Sequence, residues 1–274
     1  MVGSFLNVVI HRLPLGESLL FPASRCPACE RPIRPWENIP VLAYLLLRAR
    51  CAGCGIHISL RYPLIEGLVG VLFMAVVCRY GASPMTLVWF VFVGSLVAAA
   101  AIDFDHQIIP DSISLGGLLF GLLIVPLTRF FDGIVMMDAF VFSWTGAFVG
   151  GFLLWIVGFL HARLSVALGR EFAHWPGEGE ELPRPSSLDF WVWFPGMGFG
   201  DVKLLAMIGA FVGAIGTFET IFVGSLIGLV FGLVSIFSKR GFGATFGFGP
   251  ALAIAAIIVV LSPEPLHMLL FRME

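Results

Sequence analysis

Two kinds of side chain in this sequence have types and spacings that could do chemistry. The first is a set of carboxylates beside long apolar runs. One cluster reads Asp103-Phe-Asp105-His-Gln-Ile-Ile-Pro-Asp111, and the other reads Gly196-Met-Gly198-Phe-Gly200-Asp201-Val-Lys203. Asp103 closes one apolar run and Asp111 opens the next, while Asp201 opens another after a glycine-rich approach. Ionisable groups at such places are rare and functional by default. Two carboxylates brought together cannot both ionise cheaply, so they share a proton. One then activates water as a base, and the other, protonated, donates a hydrogen bond to a scissile carbonyl. Asp105 and Asp111 are equally well read as interfacial charges ending helices, and Asp111 as a helix cap.

The second set is the cysteines. Cys26-Pro-Ala-Cys29 and Cys51-Ala-Gly-Cys54 are two C-x-x-C pairs separated by 21 residues. This is close to the spacing of a four-thiolate zinc ribbon, in which each pair forms a knuckle aiming two sulfurs at one ion. Four thiolates leave no open coordination position, so the expected role of the zinc is structural. The competing reading, two disulfides, suits a non-cytoplasmic loop. Cys78 stands alone in an apolar run and is expected to be a buried small hydrophobe.

The elements that must position these groups are membrane helices. Of 274 residues, 58% are hydrophobic and only 12% are charged, against roughly 25% charged in a soluble domain. The composition excludes a disordered chain, a collagen and a disulfide scaffold, and no basic stripe suggests a nucleic-acid partner. The expected fold class is an all-α polytopic membrane protein. Runs free of charge cover residues 80–102, 112–128, 139–160, 241–263 and the stretches between Lys203, Glu219 and Lys239. A further run, 67–78, extends across Glu66 through 62–65. At about 20 apolar residues per span, these give about seven complete transmembrane helices. Residues 1–10 are too short to span and lack a basic leader region, so they read as the end of a truncated N-terminal helix.

The basic residues orient the chain. With 12–61 placed in the cytoplasm, 13 of the 16 Lys and Arg fall on that side. Two cytoplasmic segments result, one carrying the four-Cys loop and the other spanning about 162–200. Both carboxylate clusters fall on the cytoplasmic face.

The ordered set of motifs resembles one family. Gly198-Phe-Gly200-Asp201 is similar to the G-x-G-D signature of membrane aspartyl proteases. Gly3-Ser-Phe-Leu-Asn-Val-Val-Ile-His-Arg-Leu-Pro14, the two C-x-x-C pairs, Arg34-Pro-Trp-Glu-Asn-Ile-Pro40, Arg61-Tyr-Pro-Leu-Ile-Glu66, the Asp103–Asp111 segment and Phe248-Gly-Pro250 together resemble bacterial type IV prepilin peptidases. The resemblance implies a bifunctional enzyme of the bacterial cytoplasmic (inner) membrane. It would cut the leader from type IV prepilins and pseudopilins at the cytoplasmic face, then N-methylate the new N-terminal residue with S-adenosylmethionine. It also implies Asp103 and Asp201 as the catalytic pair. Asp103 is preferred to Asp105 because the family pattern places Ile-Pro six and seven residues on, as Ile109 and Pro110 stand here.

Methyl transfer is associated with residues 1–61, and the protease core with residues 62–274. No sequence feature identifies the residues that bind the methyl donor. The chain starts two residues before Gly3, which reads as a late start, and its 170–194 segment is longer than the usual connection, a lid or a disordered insertion. Two other functions compete. One is a leader peptidase without methyltransferase activity, and the other is a transporter or channel with a zinc module that uses Glu66 and Glu219. If Asp201 opens its helix and Asp103 closes its own, the helix dipoles make Asp201 the base and Asp103 the proton carrier.

Overall fold

The computed structural model describes residues 1–168, 186–192, 198–237, 247–263 and 268. The expected insertion at 170–194 therefore lies outside the described residues, apart from 186–192. The chain forms two compact units, residues 1–106 and residues 107–274.

The first unit holds four helices: α1 (Val2–Arg12), α2 (Leu42–Leu46), α3 (Arg61–Tyr80) and α4 (Pro84–His106). α4 is apolar on all sides, as expected of a helix enclosed by others. Phe92, Val93, Leu96 and Ile102 on it are fully buried. α3 stacks Phe73 on Phe90 of α4 with ring centroids 4.2 Å apart. α1 crosses α3 closely, since a Cβ on Gly3 would stand 2.8 Å from the Glu66 Cα. Gly81, with φ of +66°, ends α3, a position that favours glycine. Between α1 and α3 the chain is mostly loop, with short 3-10 turns at Leu13–Leu15 and Pro35–Asn38 and two isolated antiparallel bridges, Arg25 with Pro32 and Arg50 with His57.

The second unit holds α5 (Asp111–Phe131), α6 (Met136–Ala167), the short α7 (Leu188–Val192), α8 (Phe199–Phe237) and α9 (Gly249–Leu261). Pro110 precedes α5 in extended conformation and Asp111 occupies its first turn. Asp111 thus complements the positive helix end from inside the helix instead of serving as its cap. α8 packs against α5, α6 and α9. Glycines make its contact with α6 possible: a Cβ on Gly146 would lie 2.0 Å from the Gly209 carbonyl oxygen, and one on Gly150 would lie 2.3 Å from that of Leu205. Close backbone approach through small residues is how helices associate where lipid removes the hydrophobic drive.

Among the described residues, five helices are long and apolar enough to cross a membrane: α3, α4, α5, α6 and α8. Of the seven expected spans, two fall in α8, where their boundary is corrected, and the last lies only partly within the described residues. The stretches on either side of Glu219 do not separate there. They form two helices, labelled together as α8, that meet at a kink at Gly213, whose backbone has φ of +73° and ψ of 179°. Thr217 Oγ1 donates to the Gly213 carbonyl at 2.7 Å, the i−4 bond that threonine makes within helices. A charge is therefore no boundary here, whereas an uncharged glycine is. The last expected span contributes only the 13 residues of α9 to the described chain. A second correction concerns Cys78, which is exposed on α3 and not buried. On an apolar helix of this length, that face suits lipid.

Candidate active site and metal centre

The four cysteines of the N-terminal loop converge. Their sulfurs all lie within 4.8 Å of one another. Cys26 and Cys54 are 3.8 Å apart, and Cys29 and Cys51 are 4.0 Å apart. These are not disulfide distances, and all four thiols are free. Tetrahedral zinc with Zn–S bonds of about 2.3 Å needs sulfurs about 3.8 Å apart, so the donor set fits such an ion.

The local backbone explains the convergence. The Cys26 N–H donates to the Arg31 carbonyl and the Glu30 N–H to the Cys26 carbonyl. The second knuckle repeats this, with Cys51 N–H to Ile56 and Gly55 N–H to Cys51. The residue after each pair, Glu30 and Gly55, takes positive φ, at +53° and +73°. Each hairpin thus turns its two sulfurs to one side. Backbone N–H groups of Cys54 and Gly53 lower the Cys51 thiol to about 6. Those of Cys29 and Ala28 lower Cys26. The Arg31 N–H favours the Cys29 thiolate, but burial and the neighbouring sulfurs outweigh it and raise that thiol to about 11. Arg31 stands over this cluster and pairs with Glu37. That ion pair, with the Arg34 N–H, holds the Glu37 carboxylate below its usual range.

The motif residues around this loop bind it to the helices. Ser4 Oγ donates to Asn38 Oδ1 at 2.6 Å, and Asn7 Nδ2 to the Tyr62 carbonyl at 3.2 Å. Glu66 accepts the Val41 N–H at 2.8 Å. Glu66 therefore caps a backbone turn, which removes it from a membrane pathway. Sequence reasoning did not assign these tasks to Ser4, Asn7, Asn38 and Glu66. The signal available was their presence within motifs and the mismatch between a polar residue and an apolar helix.

The carboxylates divide sharply. Asp103 belongs to the first unit and lies in the last turn of α4, with only 5% of its surface exposed. Two residues on, Asp105 forms an ion pair with Arg61 of α3. Asp201 belongs to the second unit and lies in the first turn of α8, 7% exposed. Asp111 is largely exposed and forms an ion pair with Lys203, so the starts of α5 and α8 are strapped together. Gly200 is already helical, and a Cβ there would lie 3.2 Å from the Ile109 Cβ. The glycine of the G-x-G-D motif thus serves close packing on the Ile109-Pro110 segment.

Each unit also has a pocket among its described residues. One, of about 300 Å³, is lined by Phe231, Gly247, Phe248 and Ala251 at the start of α9. The other, of about 230 Å³ in the first unit, is lined by Ser4, Phe5, Leu19, Leu20 and Asn38 among others. Its lining brings no carboxylate to a ribose, and its Ser4 and Asn38 already bond each other. It does not fit a nucleoside methyl donor, and no methyl-transfer step is assigned to it.

Comparison with known proteins places these features in context. Residues 1–80 match the bacterial peptidase A24 N-terminal domain, and residues 90–233 match the type IV leader peptidase family. A prepilin leader peptidase/N-methyltransferase of Pseudomonas putida is 37% identical over 97% of this chain and 89% of its own length. Proteins of the same name from Neisseria gonorrhoeae and Stutzerimonas stutzeri are 37% and 36% identical, over 94% and 95% of this chain and 86% and 87% of their own. No solved structure matches.

Proposed function

The chain belongs to the type IV leader peptidase family, and on that premise we propose that it is a prepilin leader peptidase and N-methyltransferase. It cleaves the leader from type IV prepilins and pseudopilins at the cytoplasmic face of the bacterial inner membrane. It then methylates the exposed N-terminal residue, with S-adenosylmethionine as donor. The observation that carries the assignment of residues is the contrast among the aspartates. Asp103 and Asp201 are buried at the ends of apolar helices, while Asp105 and Asp111 are exposed.

Asp103 and Asp201 act together as the protease pair. Asp201, at the positive end of α8, takes a proton from water, whose oxygen attacks the scissile carbonyl carbon. Asp103, at the negative end of α4, carries the shared proton and donates to the carbonyl oxygen. Collapse of the tetrahedral species breaks the C–N bond, and the proton held by Asp201 passes to the leaving amine. The apolar helix ends limit water and strengthen both interactions.

Cys26, Cys29, Cys51 and Cys54 hold one zinc ion. When bound, it cross-links the two knuckles without taking part in hydrolysis. Residues 1–61 support methyl transfer, and 62–274 form the protease core. Mass spectrometry of a pilin-like substrate, incubated with purified protein and S-adenosylmethionine, tests the reading. Leader loss together with methyl gain supports it. Leader loss without methylation leaves a peptidase alone, and neither product refutes it.

A further inference from the structure

We propose that α2 is an interfacial anchor which inserts Leu42, Leu45 and Leu46 into the cytoplasmic leaflet and sets Arg48 and Arg50 against anionic phospholipid headgroups. The four-Cys loop is then held on the membrane surface and not suspended in the cytoplasm.

The first support is depth. The residue before α2, Val41, donates its N–H to Glu66, and its side chain stands 3.9 Å from where a Cβ on Gly67 would lie. Glu66 is five residues into α3, an apolar helix long enough to span. At 1.5 Å per residue, that is about 7–8 Å along the axis from Arg61. α2 is thus pinned level with the outer turns of a membrane helix.

The second support is the division of its faces. Ala43 is buried against the protein, while Leu45 and Leu46 are 64% and 75% exposed and Leu42 is 51% exposed. Positions i, i+3 and i+4 lie on one side of a helix, so the three leucines form one apolar face turned away from the protein. In water this face would cost free energy that nothing in the first unit offsets, whereas at the acyl boundary it is favourable.

The third support is charge. Arg48 and Arg50 follow α2 directly and are exposed. Arg48 and Ala49 take positive φ, at +50° and +59°, which reverses the chain at the end of α2. Residues 12–61 carry seven arginines against three glutamates. A basic rim beside an apolar face is the arrangement that binds an anionic leaflet.

Photo-crosslinking in nanodiscs tests this with the full-length protein. p-Benzoylphenylalanine is placed at Leu45 or at Leu46, in zwitterionic bilayers and in bilayers containing phosphatidylglycerol. Monodisperse elution checks that each variant is folded. Lipid adducts are expected at both positions. In phosphatidylglycerol bilayers their yield should fall several-fold in the Arg48→Glu, Arg50→Glu double variant. Cross-links to a second copy of the chain, or no lipid adduct, overturn the anchor. Adducts indifferent to lipid charge and to the double substitution overturn the anionic partner. Prepilin cleavage in the same discs is scored separately, so failure of the anchor is distinct from failure of the functional reading.

Discussion

Asp103 and Asp105 sit two residues apart, yet their surroundings give them different work. Asp105 faces Arg61 in an ion pair, and Asp103 is buried in the last turn of α4. Replacing Asp105 with Asn removes a partly exposed pair, and such pairs contribute about 0–1 kcal/mol. Asp105→Asn is therefore expected to keep leader cleavage within about tenfold of wild type, a window that corresponds to about 1.4 kcal/mol. Steady-state cleavage of a pilin-like peptide reads this directly, and loss of cleavage on the scale expected for a catalytic group would move the catalytic assignment to Asp105. The cysteines give a second residue-scale prediction. A metal-bound thiol must lose its proton, so zinc binding competes with protons. Cys51, lowered to about 6, is mostly thiolate at neutral pH, whereas Cys29, raised to about 11, must give up its proton to the ion. As pH falls through about 6, Cys51 also becomes protonated and zinc affinity should drop steeply. A chelator competition titrated from pH 8 to pH 5 measures it. Cys54→Ser should lose the zinc and impair methylation more than cleavage. The spacing of the cysteines made the cluster legible in the sequence. The bonds of Ser4, Asn7 and Glu66 were not legible, because they join positions 34, 55 and 25 residues apart that no local pattern pairs.

At the scale of elements, the α6–α8 contact sets what the second unit tolerates. The Gly146 and Gly209 backbones meet so closely that either Cβ would sit 2.0 Å from the other's carbonyl oxygen. No rotamer change can relieve a clash with backbone, so the helices must separate. Gly146→Ala is expected to destabilise the protein by about 1–3 kcal/mol, the usual cost of overpacking. Thermal unfolding in detergent should show it as a lowered Tm. An unchanged Tm would mean the crossing is looser than described. Gly232→Ala, where no atom lies within 4 Å of the added Cβ, should have little effect and serves as the control. The apolar runs foretold α3 to α5 within about four residues and α6 except for its last seven, because a bilayer requires uninterrupted apolar length. In α8 they foretold two helices but set the boundary at Glu219, whereas the helices meet at Gly213, because a helix satisfies its own backbone and passes through an isolated charge. Gly213 carries the break because φ of +73° suits glycine, and because a Cβ there would sit 2.4 Å from the Phe142 ring. Nothing in a charge-free run marks one glycine among many for that role.

At the scale of the molecule, the proposed orientation, which puts 13 of 16 basic residues on the cytoplasmic side, can be tested directly. Alkaline phosphatase fused after Ser83 or Gly133 should be active, since both lie in turns between helices on the opposite side. A fusion after Gln107 should be inactive. The reverse pattern would invert the whole topology and place both aspartates on the wrong face for a cytoplasmic leader. The central claim is that Asp103 and Asp201 together cleave that leader. Its most direct test is the cleavage rate of a prepilin by purified protein in bilayers, compared across wild type, Asp103→Asn and Asp201→Asn. General acid–base groups contribute about 10²–10⁴-fold, so each substitution should lower the rate by about 10³-fold or more while both variants elute as folded protein. Cleavage by either variant at a rate near wild type would contradict the account.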